Sequence, residues 1–159
     1  MKDYKKCILS ILTIFILSSI TGCSSITSYQ QSIFDDDNKI TKEEDSYTYK
    51  IREGKGAGNE IDITFTSFTG MDTVYKFMAE EEGEVTFHFE SVVHKGDFKV
   101  VLITPEKEVI NILSDTEKGD KIIPLGEGES RMKLVGKKAK GTMKMTMDVE
   151  EKIKMKRQD

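Results

Sequence analysis

Apolar and polar residues alternate along most of the chain from residue 47 onward. Apolar side chains occupy every second position within segments 47–51, 61–65, 85–90 and 98–102. Successive side chains of a strand point to opposite faces, so this period of two predicts strands with one buried and one wet face. Further apolar runs predict strands at 74–79, 109–113, 122–125, 131–135 and 143–149. The pattern also predicts turns at Glu82-Gly83, at Lys95-Gly96 as a hairpin, and at 105–107.

This series of elements favours one fold class. About eight to nine short strands with charged connections, and no amphipathic helix, are typical of an antiparallel architecture. A charged outer face on each strand fits a sheet that packs on one side only, which disfavours a parallel α/β fold. We therefore expect an all-β, antiparallel β-sandwich of jelly-roll-like form, preceded by a signal-peptide helix and a disordered linker.

The pattern is different at the start of the chain. A short segment containing Lys2, Lys5 and Lys6 precedes thirteen residues, 8–20, in which only Ser and Thr interrupt the apolar side chains. A membrane-spanning helix needs about 20 apolar residues. The shorter stretch is typical of the central region of a signal peptide.

This segment ends in Ile20-Thr21-Gly22-Cys23, which resembles the lipobox of bacterial lipoproteins. The resemblance implies cleavage between Gly22 and Cys23 and transfer of a diacylglyceryl group to the Cys23 sulfur. It implies a lipid-anchored protein on the extracytoplasmic face of the cell membrane, since two acyl chains anchor stably where one binds reversibly. The alternative is an ordinary signal peptide in which the cysteine is accidental.

Four regions are predicted: a signal peptide at 1–22, the lipidated cysteine and a flexible acidic linker at 23–46, the β-sandwich at 47–149, and a charged tail at 150–159. The linker has no apolar periodicity and contains Asp35-Asp36-Asp37-Asn38 and Glu43-Glu44-Asp45. As a random coil its 23 residues from Ser24 would span about 26 Å. The tail mixes Lys and Glu and is expected to fray.

Composition excludes some functions. The full chain has 159 residues and a net charge of −4, which becomes −6 when the leader with its three lysines and one aspartate is removed. This balance argues against a nucleic-acid partner. Of the two cysteines, Cys7 leaves with the leader and Cys23 is expected to be acylated, so no thiol remains for catalysis or for a metal.

Several motifs suggest ligand binding but also have a simpler structural explanation. The glycines of 54–58 lack the helix that a phosphate loop requires, which favours a flexible hairpin loop. The acidic run 35–38 lacks the spacing of a calcium loop. His88 shares an outer face with Glu90, but a metal needs more ligands than these, and His94 adds none in register. We expect no metal and no cofactor.

Met143, Met145 and Met147 form a stripe at strand spacing. Thioethers bind Cu(I), which makes a copper-binding lipoprotein one alternative. The same stripe is typical of an inward strand face, because methionine packs well in irregular cores. Core packing is the favoured interpretation.

A second candidate site is basic. Five cations without an intervening acid occur within ten residues: Arg131, Lys133, Lys137, Lys138 and Lys140. Near an anionic surface each cation contributes about 1 kcal/mol, so this patch is a candidate contact for anionic wall polymer or lipid headgroups. Alternatively, these lysines protect an edge strand from pairing with another sheet.

Residues 65–147, with Phe68-Thr69-Gly70, Tyr75-Lys76-Phe77 and the run 131–141, resemble the β-rich domain of small uncharacterised lipoproteins of Gram-positive bacteria. That resemblance implies a fold and a location but no activity. We expect a non-enzymatic binding or interaction module, with a protein partner or wall polymer, and no catalytic residues. The alternative is a cell-envelope enzyme whose carboxylates, such as Glu90, Asp97 or Asp115, act in pairs.

Overall fold

The computed structural model describes residues 22–158. The predicted signal peptide therefore lies outside the described residues except for Gly22. The elements are α1 (Gly22–Ile33), α2 (Asp37–Ile40), β1 (Ser46–Thr48), β2 (Ile51–Ala57), β3 (Glu60–Ala79), β4 (Gly83–Ile103), β5 (Val109–Ser114), β6 (Glu117–Leu125), β7 (Gly128–Val149) and β8 (Ile153–Arg157). Within this part of the chain, neither helix has the length and apolar character needed to cross a bilayer.

The strands pair antiparallel throughout, which confirms the predicted all-β class. Three long strands form the centre, with β7 between β3 and β4. The short strands lie at the margins: β1, β2 and β8 pair with β3, whereas β5 and β6 pair with β4. Each long strand has enough residues to serve two layers of a sandwich.

The long strands bend along one line of bulges. The register shifts between Thr66 and Gly70 in β3 and between Val93 and Asp97 in β4. Between them in β7, Lys138 has a φ of 55°. Bulges bend a strand and increase its twist. The first layer accordingly contains β2, β6 and the halves of the long strands on one side of the bend, and the second layer contains β1, β5, β8 and the other halves.

The core lies between the layers and contains the side chains that the alternation predicts to point inward. Val85, Phe87 and Phe89 in β4 are buried, as are Phe98, Val100 and Leu102 beyond its bend. An aromatic cluster occupies the bend itself. Phe98 stacks on Phe65 with ring centroids 4.5 Å apart, and Tyr49 stacks on Phe68 at 4.3 Å.

The turn predicted at Lys95-Gly96 is wrong, because β4 continues through it from Gly83 to Ile103. The predicted strands 131–135 and 143–149 are likewise two ends of β7. Charged residues and glycine at these positions form bulges, and in sequence a bulge resembles a turn. The glycine-rich segment also differs: Gly54 and Gly56 belong to β2, and only Gly58 and Asn59 make the hairpin connection.

The segment predicted as a flexible linker, 23–46, is folded against the sheet in the structure. We call residues 22–45, which contain both helices, the N-terminal arm. Ile33 and Ile40 are fully buried and pack with Met71, Val101 and Val135 on the outer face of the second layer. Apolar residues are few in this acidic segment, yet Ile33 and Ile40 are sufficient to bury one apolar patch of the sheet.

The predicted charged tail also contains structure. Residues 153–157 form β8, which pairs with residues 75–79 of β3. Ile153 is 5% exposed and belongs to the core. The apolar side chains of Ile153 and Met155 alternate with lysines, so the folded domain extends past residue 149.

Candidate binding face

The outer face of the first layer is open and carries rows of polar side chains that cross its strands. One row runs through four adjacent strands as Asp62, Lys144, Glu90 and Lys118, each directly opposite the next in register. Lys144 Nζ lies 3.2 Å from Asp62 Oδ2, and Lys118 Nζ lies 3.0 Å from Glu90 Oε2. Opposite charges alternate along the row, and we call it the charge ladder.

A second row is centred on His88. Its Nδ1 lies 2.5 Å from Asp120 Oδ1 and its Nε2 lies 3.1 Å from Asp148 Oδ2. Both ring nitrogens can donate to their carboxylates at the same time only when the imidazole is protonated. The hydrogen bond to Asp120, followed by that to Asp148, therefore raises the pKa of His88. The two aspartate side chains are 70% and 73% exposed, so this cluster is accessible to a partner.

The charge ladder, His88 and Asp120 line an open cavity of about 400 Å³. The predicted outward position of His88 and Glu90 is confirmed, since their side chains are 42% and 53% exposed while Phe89 between them is buried. Glu60 adds a further carboxylate at the β3 side, which gives an excess of acids over bases around His88. The cavity offers charge and hydrogen bonds to a ligand.

The pKa of His88 can be tested directly. Asp120→Asn and Asp148→Asn should each lower the pKa of His88 in an NMR titration, with the larger change for Asp120, the stronger cause. The folded-state pKa is raised above the ordinary value of about 6.5. The stabilisation from these bonds is therefore fully present below about pH 6.5 and is lost as the pH rises through the raised pKa. A His88 pKa that neither substitution moves would contradict the assignment.

Two of the candidate catalytic carboxylates, Glu90 and Asp97, lie in β4, and Asp115 lies between β5 and β6. Among the described side chains, no group of three or more His, Cys, Asp or Glu residues is placed to hold a metal ion. Glu90 is paired with Lys118, and Asp115 Oδ1 accepts the Phe98 N–H at 2.8 Å. Asp97 lies at the bend of β4, where its charge helps to raise the pKa of Lys137. Of the carboxylates proposed for an enzyme, Glu90 is thus engaged with a cation and Asp115 with a backbone amide.

The methionine stripe is part of the core. Met143, Met145 and Met147 are at most 1% exposed and pack among the core residues of both layers. This burial confirms the prediction that the stripe packs in the core, and the exposed position that an incoming copper ion would meet is absent at these three residues.

The predicted basic patch is corrected by the structure. Lys133 is fully buried and Arg131 is 8% exposed, so neither can meet an anionic surface. Both lie on the outer side of β7, as the alternation implies, but the N-terminal arm covers that side. Lys137 is half-buried and pairs with Asp35 at 2.7 Å, which raises its pKa. Only Lys138 and Lys140 are exposed.

Lys133 and Arg131 instead hold the N-terminal arm. Lys133 Nζ donates to the Lys42 carbonyl at 2.6 Å and to Asp45 Oδ1 at 3.1 Å. The Arg131 guanidinium donates to the carbonyls of Thr41 and Lys42 at 3.0 and 3.3 Å. Burial lowers the pKa of Lys133, and the charge and hydrogen bond of Asp45 oppose that change. Sequence reasoning recognised these cations but not their partner, because the partner is 88 or more residues away.

A second cavity, of about 640 Å³, lies where the N-terminal arm meets the sheet. Asp72 lines it and accepts a hydrogen bond from the Tyr49 hydroxyl at 3.0 Å. Burial raises the pKa of Asp72, and the Arg52 guanidinium 3.6 Å away opposes the change. Of its charged lining groups, Asp45 and Arg131 hold the N-terminal arm, and Lys76 pairs with Glu129.

No protein-family model matches the chain, and no curated protein matches it. Six chains of known structure do match it. One belongs to an RmlC-like cupin protein from Desulfovibrio desulfuricans, with 14% identity over 60% of this chain and 80% of that chain and a TM-score of 0.26. Another is a CBM4 structure, with 7% identity over 72% and 79% of the two chains and a TM-score of 0.31. By its own architecture, the chain is a β-sandwich protein with one covered and one open outer face.

Proposed function

We propose that the protein is a membrane-anchored, extracytoplasmic lipoprotein that acts as a non-enzymatic binding module. The proposal rests on one observation: one outer face of the sandwich is covered and the other is open. The N-terminal arm covers the second layer, whereas the first layer leaves its charge ladder and the His88 cluster open. A partner would bind the open face.

The anchoring part of the proposal rests on Cys23. The residues Ile20-Thr21-Gly22-Cys23 follow an apolar stretch of signal-peptide length. Cleavage before Cys23 would remove none of the contacts given above for the N-terminal arm, which involve residue 33 and later residues.

The binding part rests on the chemistry of the open face. The charge ladder is balanced, while the His88 cluster adds the carboxylates of Glu60, Asp120 and Asp148. This distribution favours a protein partner that presents basic residues to the cluster. An anionic wall polymer is disfavoured, because burial of Arg131 and Lys133 removes two cations from the predicted basic patch.

Anchoring is tested by intact-mass analysis of the protein from membranes. The proposal expects a chain that begins at Cys23 and carries a diacylglyceryl modification. A Cys23→Ser variant should be absent from the membrane pool as a lipidated species. An unmodified cysteine in the wild-type protein would refute the anchoring proposal.

Binding is tested by quantitative cross-linking in intact cells, which compares wild type with the double variant Asp62→Lys/Glu90→Lys. These two changes make the whole charge ladder cationic, so specific cross-links should fall at least tenfold. The matched control is Glu80→Lys/Glu81→Lys, which reverses two exposed carboxylates paired with Lys154 and Lys152 elsewhere on the surface. Equal loss in both double variants, or in neither, would contradict a role for the open face.

A further inference from the structure

The N-terminal arm determines how far the domain can lie from its anchor. Gln30 accepts a hydrogen bond from the Thr48 hydroxyl at 3.0 Å and donates to the Ser46 hydroxyl at 3.4 Å. These bonds join α1 to strand β1, at the margin of the second layer. Ile33, one turn further on, is fully buried against the sheet. The second half of α1 is therefore fixed to the domain.

Cys23 lies in the same helix, seven residues before Gln30. At 1.5 Å per residue, this separation is about 10 Å. A random coil between Ser24 and Ser46 would instead allow about 26 Å. An anchor at Cys23 would hold the β1 margin next to the bilayer.

Several elements next to that margin expose apolar side chains. Of the seven large hydrophobic residues exposed in the described part of the chain, four lie in α1, β1 or β2: Ile26, Tyr29, Tyr47 and Ile51. Their side chains are 36–59% exposed. We call these four residues the anchor-side patch.

The helix geometry explains part of this patch. Ile26, Tyr29 and Ile33 follow the spacing of three and four residues that places side chains on one helix face. Ile33 buries its end of this stripe in the sheet, while Ile26 and Tyr29 continue it into the open. Tyrosine has an apolar ring with a polar tip, and it is enriched where proteins meet the membrane interface.

The charges around the patch favour an apolar contact over an electrostatic one. The amines of Lys39 and Lys42 lie 5.9 and 5.6 Å from the Tyr29 ring centroid. Lys39 is also paired with Asp36 at 3.2 Å, and the exposed Glu43 and Glu44 share a cavity with Tyr47. These acids offset the cations, so attraction to anionic lipid is not what the patch provides.

We infer that the anchor-side patch contacts the interfacial region of the phospholipid bilayer and fixes the orientation of the lipidated domain. The inference rests on the proposed anchoring at Cys23. Its partner is the lipid surface itself, and the open face of the first layer is left for a protein partner.

The chain contains no tryptophan, so single tryptophans can report membrane contact without background. The reporters are Tyr47→Trp and Ile51→Trp, and the control is Ile122→Trp, at a 60% exposed position on β6 in the first layer. The chain beginning at Cys23 is coupled through that thiol to maleimide lipid in phosphatidylcholine vesicles. Brominated lipid then quenches only indoles at the bilayer.

We expect quenching at positions 47 and 51 at least threefold stronger than at 122, and unchanged by about 0.5 M salt, where charge interactions are strongly screened. Equal quenching at all three positions in variants with wild-type circular dichroism would overturn the inference. Quenching that disappears in high salt would also overturn it, because membrane binding by the patch would then be electrostatic. The vesicle assay supplies the lipid chemically. Failure of acylation in cells would therefore refute the proposed function without changing this result.

Discussion

Replacing Lys133 with alanine should destabilise the protein by about 3 kcal/mol, because the change leaves a charge and a carbonyl without their buried partner. The Lys133 amine is completely buried and joins the Lys42 carbonyl, Asp45 and the Met71 sulfur. Asp45 also accepts bonds from the backbone and the hydroxyl of Thr73, at 3.0 and 2.8 Å. The Asp45 side chain remains 26% exposed, which places the cost at the lower end of the range for buried pairs.

Urea denaturation of the mature chain measures this cost, and the same strand supplies the control. Lys140 is an exposed lysine of β7, and Lys140→Ala should change the free energy of unfolding by less than about 0.5 kcal/mol. Lys133→Met keeps the apolar stem and should fall between the two. If Lys133→Ala and Lys140→Ala were equally mild, Lys133 would be a surface lysine, as the predicted basic patch assumed.

Phe98→Ala should cost about 4 kcal/mol, the largest effect of any substitution considered. Phe98 is fully buried at the bend of β4, stacked on Phe65 and edge-on to Phe68 with centroids 6.2 Å apart. It lies opposite Gly136 in register, where an added Cβ would be 2.3 Å from Phe68. The aromatic cluster is closely packed, so the neighbouring rings cannot move to fill the cavity that Phe98→Ala would leave.

The matched substitution is Phe98→Leu, which keeps much of the volume and should cost less than half as much. Thermal and urea denaturation of both variants give the comparison. A Phe98→Ala variant within about 1 kcal/mol of wild type would contradict the packing of this cluster at the bend.

The alternation of apolar residues was sufficient to predict the inner surfaces of the sandwich. Phe87, Phe98 and Met145 all point into the core, as their period of two requires. His88 and Glu90 point outward for the same reason. Side-chain direction is a local property of a strand, so it can be read from a single sequence.

The length of the strands could not be predicted in this way. Lys95-Gly96 has the composition of a hairpin turn, but the chain continues in the same direction after a bulge. A bulge and a turn use the same residue types, and the difference between them depends on which strand lies alongside. That partner here is β7, in which Lys140 lies opposite Lys95, far along the chain.

The N-terminal arm was missed for a related reason. Alternation shows that the side chains of Arg131 and Lys133 point away from the core, but it cannot show that another segment covers them. Ile33 and Ile40 lie in an acidic sequence, and their burial depends on an apolar patch formed by three distant strands. The structure therefore places the candidate site on the open face of the first layer and not at the predicted basic patch.

Amide hydrogen exchange of the chain beginning at Cys23 tests most directly whether the N-terminal arm is part of the folded domain. The Ile40 and Thr41 amides donate to the carbonyls of Asp36 and Asp37 in a segment held by buried Lys133. We predict that peptides spanning residues 33–45 exchange slowly, with protection comparable to that of β1, and that this protection disappears in Lys133→Ala. Exchange at the rate of an unstructured peptide in the wild-type protein would contradict the account, because the anchor would then be a flexible tether.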